Sequence, residues 1–187
     1  MALADWTAAT TNNGTYTVVS EGGSMRMYAV VSSATKMHWL KNFLSKCNAE
    51  IKMTLKREWA SVMFDAIFRA ADIDISAAIV VSMRDEGTVY YYKVIAGVWT
   101  EVRNAATGID FSTYQTVRIR VFDVLTGVKY TLEHWTGGVW VEKDFWIDNT
   151  TKYLQGVSGL YGFGSHGHVS GGTQKGYQDD VVLGEQS

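Results

Sequence analysis

Apolar and polar residues alternate along most of the chain, and a period of two is the pattern of strands that bury one face. The clearest run covers residues 49–58, where Ala49, Ile51, Met53 and Leu55 alternate with charged residues or threonine. In a helix these apolar positions would spread around the circumference, so a helix is a poor fit. The run predicts a strand of an antiparallel sheet with one buried and one wet face.

The same alternation continues through residues 97–146 and predicts four strands of a meander. Its apolar set predicts core positions at Val98, Val102, Val117, Ile119, Val121, Val128, Tyr130, Leu132, Val139, Val141 and Phe145. The pair Gly137-Gly138 permits positive φ and predicts a tight hairpin between the last two strands. A mostly apolar run at 77–83 predicts a strand covered on both faces.

Further strands are predicted near residues 15–20, 25–31, 158–163 and 177–183, whereas 36–44 fits a helical turn or a short strand. Ten or more short strands with almost no helical periodicity predict an all-β fold of two packed antiparallel sheets. The chain has no linker, repeat or charge block, so we expect a single domain over residues 1–187. Residues 1–46 either complete the sandwich or form an arm that reaches a neighbour.

Composition excludes several classes of protein. The 187 residues are 47% hydrophobic, carry a net charge of −2 and include one cysteine, Cys47. No apolar run approaches the length of a membrane span, and no basic stripe indicates nucleic-acid binding. A lone cysteine excludes a disulfide scaffold. The N-terminus lacks the basic and apolar regions of a secretion signal, so we expect synthesis in the cytoplasm without a signal peptide.

No residue pattern predicts a cofactor. His166 and His168 stand close together in a glycine-rich segment, but two ligands are too few for a metal site. Cys47 has no histidine beside it and is expected to be an inert thiol. We therefore predict no metal or cofactor.

Three short motifs carry a family resemblance. They are the strand at 66–72 (Ala-Ile-Phe-Arg-Ala-Ala-Asp), the paired strands at 117–121 and 130–132, and the closing strands at 159–162 and 177–183. In this order they resemble the concanavalin A-like (laminin G-like) jelly-roll sandwich over about three quarters of the chain. The resemblance implies a two-sheet antiparallel jelly roll, a fold that hosts lectins, glycan hydrolases, adhesion modules and viral structural proteins. It also implies a structural role for Asp179 or Asp180. The weaker alternative, which the residues themselves suggest, is that these two acids hold calcium together with loop carbonyls.

The family's glycan hydrolases carry several carboxylates on one face of a strand. Here Glu142 and Asp144 would share a face, but the next position on that face is Trp146, so the set is incomplete. Two solvated acids beside Arg118 and Arg120 are the simpler interpretation. We predict that the protein is not an enzyme.

The side of the meander that is predicted to face solvent is rich in tryptophan. By parity it carries Trp99, Trp135, Trp140 and Trp146. Indoles beside acids suit sugar binding, and tryptophan with arginine also suits a protein interface. The alternative is burial, by covering loops or by a β-bulge that shifts the parity. Tyr90, Tyr91 and Tyr92 cannot all face inward, so one of them joins the wet side. The candidate ligand-binding residues are Trp99, Trp135, Trp140, Trp146, Tyr92, Arg118, Arg120 and Glu142.

The sequence thus predicts a non-enzymatic carbohydrate-binding or adhesion module, with the surface of a virus particle as one setting. One alternative is a structural protein of a bacteriophage capsid decoration, tail or fibre that has no sugar ligand. A glycan hydrolase is the second alternative. The expected partners are a glycan or other subunits of an assembly, with a homo-oligomer left open and with no nucleic acid or membrane insertion.

Overall fold

The computed structural model describes residues 6–9, 15–21, 24–31, 36–43, 48–57, 62–84, 86–149, 159–167 and 174–185. These residues form fourteen strands. The strands are β1 (Thr7–Ala8), β2 (Thr15–Glu21), β3 (Ser24–Val31), β4 (Lys36–Phe43), β5 (Ala49–Arg57), β6 (Val62–Ala70), β7 (Ala77–Arg84), β8 (Thr88–Ile95), β9 (Val98–Ala106), β10 (Gln115–Val124), β11 (Gly127–Thr136), β12 (Val139–Asp148), β13 (Gly159–Gly167) and β14 (Gln174–Glu185).

The strands form two antiparallel sheets. Sheet I has the order β1-β4-β13-β6-β7-β8-β9, and sheet II has the order β12-β11-β10-β5-β14-β3-β2. The predicted all-β class is confirmed, and residues 36–43 form a strand rather than a helical turn. None of the described residues belongs to a helix that is long and apolar enough to cross a bilayer.

Two of the four described strands before residue 46 pair with strands from the C-terminal part of the same chain. β4 lies beside β13 in sheet I, and β3 lies beside β14 in sheet II. The single domain over residues 1–187 stays a prediction, and so does the arm that residues 1–46 were considered to form.

The core lies between the two sheets, where the alternation along β5, β10 and β11 places its apolar residues. Phe68 of sheet I packs against Tyr130 of sheet II, with ring centroids 5.9 Å apart. The predicted parity is confirmed on these three strands, and β7 is buried on both faces except at its two ends. Fully buried core residues include Ile51, Met53, Leu55, Phe64, Phe68, Val117, Ile119, Val121, Val128, Tyr130 and Leu132.

A β-bulge on edge strand β12 reverses the predicted parity of its second half. Leu132 pairs with Asp144 and Glu133 pairs with Glu142, which leaves Lys143 as the extra residue. Trp146 therefore pairs with core residue Tyr130 and stacks on it at 5.5 Å. The predicted outward position of Trp146 is wrong for this reason. Phe145, predicted in the core, is 44% exposed.

A second bulge lies on β9, the edge strand of sheet I. Tyr92 pairs with Glu101 and Tyr91 pairs with Arg103, so Val102 is the extra residue. Arg103 consequently turns toward sheet II, although alternation predicts it on the face of Trp99. Val98, predicted in the core, is 65% exposed near the end of this edge strand. Val102, Val139 and Val141 were also predicted in the core and are exposed on the two edge strands.

The two bulges bring opposite charges together across the gap between the sheets. The Arg103 guanidinium donates two hydrogen bonds to the Asp144 carboxylate, from Nε at 3.0 Å and from NH2 at 2.6 Å. Beside this pair, the Lys93 ammonium lies 3.0 Å from Asp148 Oδ2, and both side chains are almost fully buried. These contacts join the β8–β9 edge of sheet I to β12 of sheet II.

We expect Asp148→Ala to lower the free energy of unfolding by about 3 kcal/mol, because it leaves the Lys93 ammonium buried without this carboxylate. The double variant Lys93→Met/Asp148→Ala should recover part of that loss, since neither charge of this pair remains. Denaturant unfolding measures both. Glu86→Ala, which removes an exposed partner of Arg84, is the control and should change stability by no more than about 0.5 kcal/mol. A double variant no more stable than Asp148→Ala would contradict the explanation.

Candidate functional site

Two tryptophans stand side by side on the outer face of sheet II. The turn between β11 and β12 consists of Gly137 and Gly138, with φ values of 60° and 84°, which confirms the predicted hairpin. This turn sets the register that pairs Trp135 with Trp140 across the two strands. Their ring centroids are 5.1 Å apart at an interplanar angle of 61°. Trp135 is 44% exposed, and Trp140 is half-buried.

A charge network holds an arginine against one of these indoles. The Arg118 guanidinium lies 4.4 Å from the centre of the Trp140 ring, a cation–π contact. Arg118 Nε donates to Glu133 Oε2, and Arg120 NH2 donates to Glu133 Oε1 at 2.6 Å. Glu133 is only 6% exposed between the two arginines, and Glu50 lies 3.7 Å from Arg118. Because both arginines are engaged by carboxylates, their side chains form a fixed part of the surface.

The indoles border a depression in the sheet. Its other lining residues are Lys52 and Thr54 of β5 and Thr116 of β10. The Thr54 and Thr116 hydroxyl oxygens are 3.0 Å apart. The volume is about 370 Å³, within the range of about 300–1,000 Å³ that is common for small-molecule sites. The depression spans β12, β11, β10 and β5, a width of about 14 Å at 4.7–4.9 Å per strand.

The predicted binding residues fall in three places. Trp135, Trp140, Arg118, Arg120 and Glu142 share the outer face of sheet II, with Glu142 exposed 3.6 Å from Lys129. Trp99 and Tyr92 lie on the outer face of sheet I, where Trp99 pairs with Val94. Trp146 faces the core. The prediction of one face with four indoles is therefore wrong, since one indole belongs to the other sheet and one follows a bulge.

The depression also contains residues that were not among the predicted set. Lys52 and Thr54 were assigned to the wet face of their strand, but alternation does not reveal that β5 pairs with β10. That pairing brings Thr54 opposite Thr116 and completes the site. The side chains of Asp179 and Asp180, considered for calcium, and the whole of His168 lie outside the described residues.

The two candidate catalytic carboxylates do not share a face. Glu142 pairs with Glu133 on the outer face, whereas Asp144 pairs with Leu132 on the inner face and is bound by Arg103. The extra residue Lys143 between them reverses the alternation. The predicted same-face arrangement of these two acids is wrong. A retaining glycosidase needs two carboxyl groups about 5–5.5 Å apart that flank one bond, and these two point to opposite sides of the sheet.

The architecture matches solved structures of known fold. The carbohydrate-binding module CBM66 from Bacillus subtilis aligns with a TM-score of 0.65 at 12% identity, covering 97% of this chain and 96% of that one. Cellulose-induced protein Cip1 gives 0.59 at 12%, covering 100% and 94%. Bacillus licheniformis β-glucanase gives 0.54 at 10%, covering 99% and 100%. The chain has the concanavalin A-like jelly-roll fold.

The predicted fold class is thereby confirmed. No protein-family model matches the sequence, and no curated protein sequence does. At 10–12% identity these structural matches establish the fold alone.

His134, which lies on β11 close to the hairpin turn, has a pKa that differs from its ordinary value. Burial, together with the nearby Lys143 ammonium, lowers the pKa of His134 from its ordinary value of 6.5. Because the folded state disfavours the imidazolium, the unfolded chain binds more protons below about pH 6.5, and this contribution to stability falls as the pH drops. His134 also bonds to Gln115 at 2.7 Å.

We expect Lys143→Met to raise the pKa of His134 toward 6.5, since it removes the neighbouring positive charge and leaves the burial unchanged. Ring-proton NMR over a pH titration measures this pKa. Lys129→Met is the matched control and should leave it in place, because Lys129 faces Glu142 and Phe145 instead. An unchanged His134 titration in Lys143→Met would show that the bulge residue does not act on this imidazole.

Proposed function

We propose that this jelly roll binds carbohydrate without hydrolysing it, at the depression on the outer face of sheet II. The observation that carries the proposal is the exposed indole of Trp135 at the edge of a depression lined by hydroxyl and ammonium groups. The C–H faces of a pyranose ring pack on an indole, while its hydroxyls need polar partners nearby. Both requirements are met within one site.

The two tryptophans have different roles in this proposal. Arg118 covers one face of the Trp140 ring and fixes it, so Trp140 forms a rigid wall. Trp135 keeps more of its surface exposed and serves as the platform on which a sugar ring stacks. Lys52, Thr54 and Thr116 then face the sugar hydroxyls as hydrogen-bonding partners.

The width of the depression suits a short oligosaccharide better than a single ring. It crosses four adjacent strands, with indoles on one side and Lys52 with Thr54 on the other. The name of the similar module CBM66 states carbohydrate binding for that protein, and this supports the same class of ligand here.

The non-catalytic role is supported by the opposite orientations of Glu142 and Asp144. If the wild-type chain does hydrolyse a glycan, the double variant Glu142→Ala/Asp144→Ala tests whether these two acids catalyse the reaction. An unchanged rate of hydrolysis in that variant would show that they do not.

We expect Trp135→Ala to weaken binding to the best ligand from a glycan array by at least about tenfold, which is about 1.4 kcal/mol. Trp140→Ala should weaken it as well, because the wall is lost. Phe145→Ala is the matched control, since Phe145 has the same 44% exposure on the same sheet but lies outside the depression. Isothermal titration calorimetry gives the affinities. Wild-type affinity in both tryptophan variants would refute the proposal.

A second candidate function is that of a structural subunit in an assembly, as on a virion. One observation favours it. The edge strands β9 and β12 lie beside each other, joined by the Arg103–Asp144 pair, and both expose apolar side chains. These side chains are Val98, Val102, Val139, Val141 and Phe145. Sheet edges with exposed apolar residues favour contact with another chain, here a second copy.

If this edge joins copies, the chain should sediment as a species larger than its 20.8 kDa monomer. We then expect Val98→Lys/Val139→Lys to sediment as the monomer, because two charges enter the apolar edge. Glycan affinity should be unaffected, since neither residue lines the depression. A wild-type chain that stays monomeric at high concentration would contradict the subunit function and leave the glycan proposal intact.

A further inference from the structure

Two histidines and an aspartate meet on the outer face of sheet I, away from the proposed sugar site. Asp65 Oδ2 lies 2.8 Å from His38 Nε2 and 2.7 Å from His166 Nδ1. These three atoms all lie within 4.8 Å of one another. The side chains of His38 and Asp65 are fully buried, and that of His166 is 13% exposed.

A glycine in the strand between them makes this meeting feasible. His38 of β4 and Asp65 of β6 both pair with Gly164 of β13, one from each side. The two residues are thus two strand spacings apart, about 9–10 Å, and a glycine between them has no side chain to separate theirs. His166 follows two positions later on β13 and so shares the same face.

The neighbours of the cluster hold its members in place. Ser82 pairs with Asp65 across β6 and β7, and its hydroxyl donates to Asp65 Oδ1 at 2.5 Å. The other oxygen, Oδ2, is left to face both imidazoles. The Trp99 ring packs against both histidines, with centroids 5.8 Å from His38 and 5.6 Å from His166. The carboxylate and both rings therefore have little freedom to turn away.

We propose that His38 Nε2, Asp65 Oδ2 and His166 Nδ1 bind a divalent transition-metal ion of the zinc class. Two imidazoles and a carboxylate are typical ligands of such ions, whereas calcium requires six to eight oxygens. Three protein ligands leave a fourth position of a tetrahedron for water or another small ligand, which enters beside the partly exposed His166. The serine bond to the second carboxylate oxygen is the kind of outer contact that orients a metal ligand.

The cluster needs only a small adjustment to accept the ion. With metal–ligand bonds of about 2.0–2.1 Å, tetrahedral ligand atoms stand about 3.3 Å apart. The present separations of 2.7 and 2.8 Å must open by about half an ångström, and the two imidazole atoms already lie within 4.8 Å. Each imidazole then presents a lone pair to the metal, and its proton moves to the other ring nitrogen or leaves.

The charges of the cluster also suit a cation. Metal ions are bound by an ionised carboxylate and neutral imidazoles, and these three side chains supply that set of donors. Binding of the ion releases any proton that sits on a ligating nitrogen.

The test uses the full chain without a polyhistidine tag, stripped with chelator and titrated with Zn²⁺ by calorimetry. We expect one Zn²⁺ per chain, a loss of affinity of at least about 100-fold in His166→Ala, and about tenfold in Ser82→Ala, the range seen for contacts outside the ligand shell. His168→Ala is the matched control and should bind as the wild type does. Circular dichroism confirms that each variant folds.

Wild-type affinity in His166→Ala, or a loss in His168→Ala that equals the loss in His166→Ala, would overturn the proposal. A second measurement does not depend on the folding of any variant. Co²⁺ bound to the wild-type chain should show the intense visible absorption of a four-coordinate complex. Absence of that absorption together with absence of Zn²⁺ binding would also overturn the proposal. Neither result bears on the sugar site, which lies on the other sheet.

Discussion

Burial of one side of each strand between the two sheets determines which side chains the protein presents outward. Because Val117, Ile119 and Leu132 are fully buried, their neighbours Arg118 and Glu133 must lie on the outer face of sheet II. The same rule brings Trp135 opposite Trp140 beyond them. The proposed sugar site is thus a consequence of core packing, with its charges fixed by the glutamate that both arginines share.

The two bulges modify this rule at one edge of the sandwich. Each adds one residue to an edge strand and thereby turns a charged side chain inward, and the two charges pair with each other. The same shift packs Trp146 on the core and exposes Phe145. The bulge on β12 therefore has three effects. It places Asp144 where Arg103 can bind it, it packs the indole of Trp146 on the core, and it puts Glu142 and Asp144 on opposite faces.

Much of the fold follows from alternation alone, because strands such as β5 and β10 carry unbroken patterns that bury valine, isoleucine and leucine. The bulges at Val102 and Lys143 are not visible in that pattern. Alternation therefore predicts the wrong face for the residues that follow them on the same two strands, which are Arg103, Asp144, Phe145 and Trp146. Pairing between distant strands is also absent from local patterns. For that reason the sequence does not predict that Thr54 and Thr116 belong to one site. It also suggests His168 as the neighbour of His166, whereas the structure brings His166 to His38 and Asp65.

The indole N–H groups give the sharpest test of a sugar site on the outer face of sheet II, because each tryptophan gives its own signal in a proton–nitrogen correlation spectrum. During titration with an oligosaccharide that the protein binds, the signals of Trp135 and Trp140 should shift together in a saturable way. The signals of Trp99, on the other sheet, and Trp146, against the core, should stay in place. Saturable shifts at Trp99 with none at Trp135 would contradict a sugar site on the outer face of sheet II.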